Sequence, residues 1–554
     1  MSKKILAWDV TVNFNDYPDI IKAKYKKIYF NRRKKFCKWV GLLSKEHLED
    51  IDWWASPPAS RNLYSSNLYK YICILETIDF FLKKKTYFLD IKVDSIKLQK
   101  TIRLNFHKTK VNVNLKKSIF LHNKLFFYLH YIKVSIFFLF QFFFIKIFLK
   151  SFFLSTGSYT LIDTFVIDSK YKHKFYYGDL VNFFSKKNNL TFFIPTFVTT
   201  NLTNFFEIFK ATNKDKNYIF KENFTEISDI MFCISYIFRI KKFNKRFTNY
   251  LNFNLDALVK EEINSNRDIL SVFLSLYNFR FARRLKLKSI KLMKVVNWFE
   301  NQSLDKGWNL GFRKFYPNIK TIGYQGFTSQ PEYMNTIPTN YEKINKVIPD
   351  TIVVISKNYI KPKKEFCKNL DIIDGPALRF ADLFKFTKNY KRKFQIVIFL
   401  EGASHHTDKE IILKFLKVSK LLSNLKFYIK PHPSLGLEKL KLRLPNNFII
   451  LNDKFSLIAK KTYLAVSHGN TSVTLESLAY GCKLLVPVDN LFDRYNLNNL
   501  NIPSYLYRVC NNQYDLVESI NFLLKKNIQA SYKDVDIKNK LFNKVTKNNI
   551  KILI

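Results

Sequence analysis

A chain of 554 residues exceeds one small domain and suits two α/β domains with insertions. Hydrophobic residues at 47% and charged residues at 25% exclude a disordered chain, and 12 Gly with 15 Pro exclude collagen-like or linker-rich architectures. Charge is the outlying property: 92 Lys+Arg against 44 Asp+Glu give +48, an excess that ordinarily signals a polyanion, either nucleic acid or an anionic membrane. Here the cations run along the whole length rather than in one stripe. Phe (56), Lys, Asn and Ile, all with A/T-rich codons, are abundant together, which reads as a generally basic surface.

Six cysteines (Cys37, Cys73, Cys233, Cys367, Cys482 and Cys510) lie far apart, with no C-x-x-C pair and no Cys/His cluster. That spacing argues against zinc and against a disulfide framework, and predicts reduced cytosolic thiols. The start, Met1 to Asp9, has too short an apolar stretch for a signal peptide, so a cytoplasmic protein is expected.

In chain order, residues 1–120 mix short β-like runs (5–8 and 86–89) with charged helical stretches. Residues 134–145 read VSIFFLFQFFFI, twelve residues without a charge between Lys133 and Lys146. The run is shorter than the about 20 residues a spanning helix needs. Two readings fit it: a buried core helix, or an interfacial helix whose Lys124, Lys133, Lys146 and Lys150 reach for anionic head groups. Strands follow at 161–167 and at 190–194, the latter ending at Pro195. Residues 225–292 show helical spacing, and strands 295–299, 321–324 and 351–355 come next.

The C-terminal third alternates strands (395–400, 426–429, 448–451, 463–466, 483–486) with helices at 409–422 and 471–480. Continuous apolar strands between helices describe a doubly wound parallel sheet. The basic stretch 385–393 separates it from what precedes, so the expected domains are 1–388, with an insertion around 120–156, and 389–554.

Ligands of parallel sheets collect at the carboxyl ends of strands. Three such ends carry unusual residues: Glu401-Gly402 through His406, Lys430-Pro-His432-Pro, and Ser467-His468-Gly-Asn470-Thr471-Ser472 followed by Glu476. Asn470, Thr471 and Ser472 offer capping side chains at a helix start, where backbone N–H groups and the helix dipole suit a phosphate. Glu476, one turn on, would repel phosphate and is better used on ribose hydroxyls. An ordinary capped helix with a solvated Glu is the plainer alternative. Two prolines frame Lys430 and His432 as a cation and a hydrogen-bond donor at the same sheet edge, and the three ends together describe a diphosphate-binding crevice.

The K-P-H-P strand end followed by strand–S-H-G-N-T-S-x-x-x-E-S-L-x-x-G–strand with Pro487 resembles the donor half of GT-B glycosyltransferases, closest to those of bacterial surface and capsular polysaccharide biosynthesis. The specific resemblance covers residues 395–490, and beyond them it is to the fold only. It implies an α/β fold of two Rossmann-like domains facing a cleft. It also implies a donor site lined by Lys430, His432, Ser467, His468, Asn470, Thr471, Ser472 and Glu476. The His-Pro pair is similar to transferases using cytidine nucleotides, so a CMP-, CDP- or UDP-linked sugar is the expected substrate, with no cofactor.

The N-terminal half then holds the acceptor. Asn297-Trp-Phe-Glu300-Asn301-Gln302 sits at a strand end, Asp305 follows, and Gly323-Tyr324-Gln325-Gly326 ends the adjacent strand. This resembles the strand–E…helix–strand–G-x-Q-H element of related transferases, with Gly326 where a His is common. An inverting transfer needs a carboxylate to take the acceptor proton. Glu300 is the expected base and Asp305 the next choice, with Asn301, Gln302, Tyr324 and Gln325 on the acceptor side. A retaining enzyme would need no such base, and a buried Glu tied to backbone donors is the plainer alternative. Residues 52–62, DWWASPPASRN, offer either an acceptor-sugar platform or plain aromatic packing. Arg379, before the boundary, is either a phosphate partner in the cleft or a linker charge.

No G-x-G-x-x-G, P-loop, H-E-x-x-H or G-x-S-x-G occurs, and neither Asp-x-Asp (50–52, 534–536) closes an apolar strand, so no catalytic metal is expected. The reading is a metal-independent glycosyltransferase acting on a surface polysaccharide or lipid-linked glycan. It would rest on the inner face of the cytoplasmic membrane through residues 124–150, and no specific nucleic acid is expected. The rivals are a polyol-phosphate transferase or nucleotide-sugar 2-epimerase on the same scaffold, and a basic nucleic-acid-binding protein.

Overall fold

The structure, a computed structural model, describes residues 4–554 except 85, 107–109, 117–122, 150–156, 170–171, 185–188, 245–246, 248, 265–267, 329–332, 386–390, 403–404, 433–434, 441, 469–470, 489–490, 492–496, 511–512 and 526–535. Three parallel sheets follow one another along the chain. Strands β1 (Lys4–Asp9), β2 (Tyr87–Val93) and β3 (Val111–Leu115) pair in the order β1-β2-β3. Residues before 116 thus build an α/β module of their own.

The second sheet contains β4 (Ser158–Val166), β5 (Asn189–Phe197), β6 (Leu292–Trp298), β7 (Lys320–Gln325), β8 (Thr351–Val354) and β9 (Ile372–Asp374), in the order β5-β4-β6-β7-β8-β9. Strand β5 does not stop at Pro195 but continues to Phe197. The backbone N–H groups of the odd-numbered residues of β5 point away from β4, as the Phe193 N–H bond to the Asn217 carbonyl shows. The missing N–H of Pro195 therefore falls on the sheet edge, where it costs no ladder bond.

The third sheet contains β10 (Phe394–Phe399), β11 (Phe427–Lys430), β12 (Phe448–Ile450), β13 (Thr462–Ser467), β14 (Lys483–Pro487) and β15 (Tyr507–Cys510). Its order, β12-β11-β10-β13-β14-β15, is that of the doubly wound dinucleotide fold, with the switch point between β10 and β13. Two six-stranded, wholly parallel, Rossmann-like sheets in sequence are the GT-B-like architecture expected from the sequence.

The chain then returns. The Asn543 N–H donates to the Ile355 carbonyl at 2.7 Å, the Ala377 N–H to the Asn543 carbonyl at 3.0 Å, and Lys294 Nζ to the Ile554 carbonyl at 2.6 Å. The last helices, Ile537–Leu541 and Lys547–Ile550, therefore fasten the end of the chain to the second sheet.

The Phe-rich run forms the 26-residue helix Asn123–Phe148. Its stretch Phe127–Phe148, with mean hydropathy 1.8, is long and apolar enough to cross a membrane, longer than the twelve-residue run alone implies. The helix is nevertheless two-faced. Tyr131, Val134, Phe138, Phe142 and Ile145, at three- and four-residue spacing, are buried against Phe205, Phe273 and Tyr277. On the other side Tyr128, Leu129, Ile132, Ile136, Phe143 and Ile147 stand in solvent. A partly open cavity of about 20 Å³ under this helix is lined among others by Gln141, Thr196, Lys221 and Tyr277.

Candidate functional site

The three motif loops of the third sheet leave one edge. Phe399 of β10 pairs in register with Lys430 of β11 on one side and with Ser467 of β13 on the other, so the three strands end in one row. Gly402, two residues past the Leu400 turn, has φ +69°, and a β-carbon there would lie 2.3 Å from Cγ of His432. Only glycine gives both that backbone and that closeness to the imidazole. Asp408 completes the corner: its Oδ1 accepts from the Glu401 N–H at 3.1 Å and the Gly402 N–H at 3.3 Å. Burial raises the pKa of this carboxylate, and the two backbone donors and then His468 and His432 oppose that rise. Burial lowers the pKa of His432, with Asp408 opposing it, and burial also lowers that of Lys430.

The helix Ser472–Ala479 begins at this edge with Thr471 as its extended N-cap residue. Thr471 makes no side-chain cap; its hydroxyl lies 3.3 Å from that of Ser467, which also approaches Thr474 at 3.1 Å. The first amides of the helix are thus not taken by the N-cap side chain, as an anion site requires. Ser472 Oγ donates to Glu476 Oε1 at 2.7 Å. Burial raises the pKa of Glu476, and the Arg379 guanidinium and Ser472 oppose that rise. Ser467 and His468 are buried at the foot of the loop. Asn470 lies outside the described residues.

On the second sheet, Glu300 follows β6. Its Oε1 accepts from Trp298 Nε1 at 2.8 Å, and Gln302 donates to its Oε2. Burial raises its pKa, while these two donors and the charge of Arg379 pull it back. The Arg379 charge opposes the burial-driven rise in pKa of a carboxylate after β6, Glu300, and of one after β13, Glu476. The guanidinium of Arg379 stacks over Phe175 at 4.3 Å. Tyr324 holds the segment that carries it: its hydroxyl donates to the Pro376 carbonyl at 2.8 Å and accepts from the Leu378 N–H at 3.1 Å.

Several expected acceptor-side residues have other tasks. Asp305 is buried at the third position of the helix Ser303–Phe315, accepting from the Gln302 N–H at 2.9 Å and Asn297 Nδ2 at 2.7 Å. A carboxylate committed to capping, with its pKa pushed well up by burial, does not face a substrate. Asn301, at φ +57°, is likewise buried. It donates to the Asn335 carbonyl at 2.7 Å, and Lys306 donates to its Oδ1. Gln325 and Tyr324 are buried, the former donating to the Thr336 carbonyl at 3.0 Å. Of the four acceptor-side residues, Gln302 alone reaches Glu300. Trp53 and Trp54 are core residues, 0% and 1% exposed, and form no sugar platform. Asp52 pairs with Arg239 at 2.8 Å and Lys242 at 2.9 Å, and Asp50 with Lys242 at 2.8 Å, so side-chain cations already neutralise the 50–52 acids. Among the described residues no cluster of three or more His, Cys, Asp or Glu forms a metal site.

Asp408 and Arg392 went unread in the sequence. Arg392, within the stretch expected to be a linker, donates to five carbonyls, those of Ala459, Lys460, Thr462, Tyr480 and Gly481. It thereby neutralises the C-terminus of the helix Ser472–Ala479, opposite the anion-binding end. An acid in the first turn of a helix after a Gly-containing strand end was the available signal for Asp408; for Arg392 there was none.

No protein-family model matches the chain, and no curated protein matches it. Among solved structures it is similar to a UDP-N-acetylglucosamine 2-epimerase from Neisseria meningitidis bound to UDP-GlcNAc, with TM-score 0.40 and 12% identity, over 71% of this chain and 98% of that one. It is also similar to Acinetobacter baumannii MurG, with TM-score 0.39 and 9% identity, over 72% and 99%. A putative UDP-N-acetylglucosamine 2-epimerase from Listeria monocytogenes gives TM-score 0.41 and 10% identity, over 71% and 94%. At such low values the architecture rests on the chain's own strand order rather than on these likenesses.

Proposed function

We propose that the protein is a metal-independent glycosyltransferase moving a sugar from a nucleotide-sugar to a glycan or lipid-linked acceptor. The observation that carries this reading is the single row made by the ends of β10, β11 and β13, where Phe399 pairs with Lys430 and with Ser467 and Gly402 packs on His432. In this reading the phosphate of a CMP-type donor, or the diphosphate of a CDP- or UDP-type donor, lies on the amides at the start of the helix Ser472–Ala479, beside His432, with Lys430 and Arg379 as counter-charges. Glu476 takes the ribose hydroxyls. Glu300 accepts the proton of the acceptor hydroxyl as its oxygen bonds to the anomeric carbon. The bond from that carbon to the phosphate oxygen breaks with its electrons, and the leaving phosphate is stabilised by the same donors. Burial suits Glu300 to this task, because a carboxylate with a raised pKa is a stronger base.

The exposed face of the helix Asn123–Phe148 would settle into the boundary of an anionic bilayer on the cytoplasmic side, with Lys133 and Lys146 toward the head groups. Apolar residues of neighbouring helices extend that face: Phe206, 41% exposed, packs against Phe144 at 5.0 Å, and Met231 is 51% exposed. Release of nucleotide from a labelled nucleotide-sugar, with and without membrane-derived glycan acceptor, tests the function. Acceptor-dependent transfer supports it. Epimerised donor without acceptor would identify a 2-epimerase instead.

A further inference from the structure

We infer that Tyr64 and Tyr333 form a stacking platform for a pyranose ring of the acceptor, beside Glu300; this rests on the glycosyl-transfer reading and adds a subsite and its ligand class. Tyr64 is 69% exposed. Its ring stacks with that of Tyr333, centroids 6.0 Å apart and planes 29° from parallel, and the two hydroxyls are 3.3 Å apart.

An exposed aromatic alone is unremarkable on a protein surface. The rigidity of this pair is what distinguishes it. Arg61, 2% exposed and at φ +56°, reaches from the loop of Tyr64 into the loop of Tyr333. It donates to the Met334 carbonyl at 2.7 Å, to that of Ile337 at 3.1 Å, and to both oxygens of Glu342. The Tyr64 N–H is fixed on Asn62 Oδ1 at 3.0 Å, and the Tyr333 carbonyl accepts from Thr336 Oγ1 at 2.9 Å. Two residues past Tyr333, Asn335 Nδ2 donates to the Glu300 carbonyl at 2.9 Å. A buried guanidinium thus cross-links the loop of the exposed Tyr64 to that of the half-buried Tyr333, and the latter loop is bonded to the residue assigned as base.

The chemistry fits a saccharide. The apolar C–H face of a pyranose packs on an aromatic ring, while neighbouring phenol hydroxyls meet sugar hydroxyls as donor and acceptor. A ring already held in place loses little entropy on binding. The Tyr333 loop is bonded through Asn335 to Glu300 of the second sheet, which argues for acceptor rather than nucleobase.

Saturation-transfer NMR on the full chain with methyl glycopyranosides of glucose, galactose, mannose and N-acetylglucosamine tests this. For at least one of them the ring-proton signal is expected in the wild type, to fall about fivefold or more in Tyr64→Ala and in Tyr333→Ala with the lost stacking, and to survive in Tyr64→Phe. Nucleotide-induced thermal shifts should be the same in all four proteins. Wild-type signal retained in both Ala variants, or no glycoside binding to the wild type, would overturn the platform. Absence of any nucleotide shift in the wild type is a separate outcome. It would count against the transferase reading and leave the sugar result legible.

Discussion

The imidazole of His432 packs directly on Gly402, so closely that a β-carbon on Gly402 would lie 2.5 Å from its Nδ1. The loop after β10 therefore seats the histidine presented by the loop after β11. Gly402→Ala is expected to cost about 1 kcal/mol of stability from its positive φ alone. Displacing His432 should weaken nucleotide binding about tenfold or more, roughly the worth of a charge-assisted hydrogen bond. Calorimetric titration with nucleoside diphosphates checks it, and unchanged affinity would separate Gly402 from His432 in function.

Glu300 makes a pH prediction. Burial raises its pKa above the usual 4.5, and a base must be ionised to act, so turnover should fall as pH drops through the raised value. The acid limb of kcat should then lie above pH 4.5. Glu300→Gln should lower kcat by about 10²–10⁴-fold, the range for general-base loss, with donor KM nearly unchanged. A variant that turns over normally would show that a different group, or a retaining mechanism, is at work.

Glu342 predicts where the fold gives way in acid. Burial would raise its pKa, but Arg61 and Lys306, at 2.8 and 2.5 Å, hold it down at about 2. A carboxylate with a depressed folded pKa contributes stability that is whole above its unfolded value near 4.5 and is lost as pH falls toward about 2. Glu342→Gln leaves two buried cations short of their counter-charge and should cost about 3–5 kcal/mol at neutral pH. Denaturant unfolding at pH 7 and at pH 3 measures both, and the gap between wild type and variant should narrow in acid.

The apolar helix face predicts lipid binding separable from donor binding. Ile136 is 62% exposed and Phe143 49%, so Ile136→Glu with Phe143→Glu disturbs little packing. The double variant should no longer sediment with vesicles containing phosphatidylglycerol, while its nucleotide affinity stays unchanged. Sedimentation undiminished by the two charges would make the face a plain surface.

Much of this architecture was legible because parallel strands buried on both faces appear as uninterrupted apolar runs, as in β10 and β13. Strand β15 was not, since Arg508 interrupts YRVC, and β9 is three residues long. At the strand ends, sequence spacing located the loops but did not fix which side chains are buried and which are free to meet a ligand. Glu300, Asn301, Gln302 and Asp305 are nearly adjacent in the chain, yet the turn into the helix Ser303–Phe315 sets Glu300 against Trp298 and Gln302 and spends Asp305 on the helix cap. Which neighbour faces a cleft depends on partners far away in sequence, such as Asn335 and Glu342, and local spacing does not carry them. Trp53 and Trp54 show the same limit: aromatic density in the sequence did not reveal that both rings are buried while Tyr64 stands exposed.

The most direct measurement is thermal unfolding of the wild type with CMP-, UDP-, GDP- and dTDP-nucleotides, repeated on His432→Ala and Glu476→Ala. At saturation one nucleotide class should raise the midpoint by about 5 °C or more, and both substitutions should abolish most of that rise. A chain unmoved by every nucleotide, or variants stabilised as much as the parent, would contradict the assignment of the third sheet's carboxyl edge as a nucleotide-sugar site.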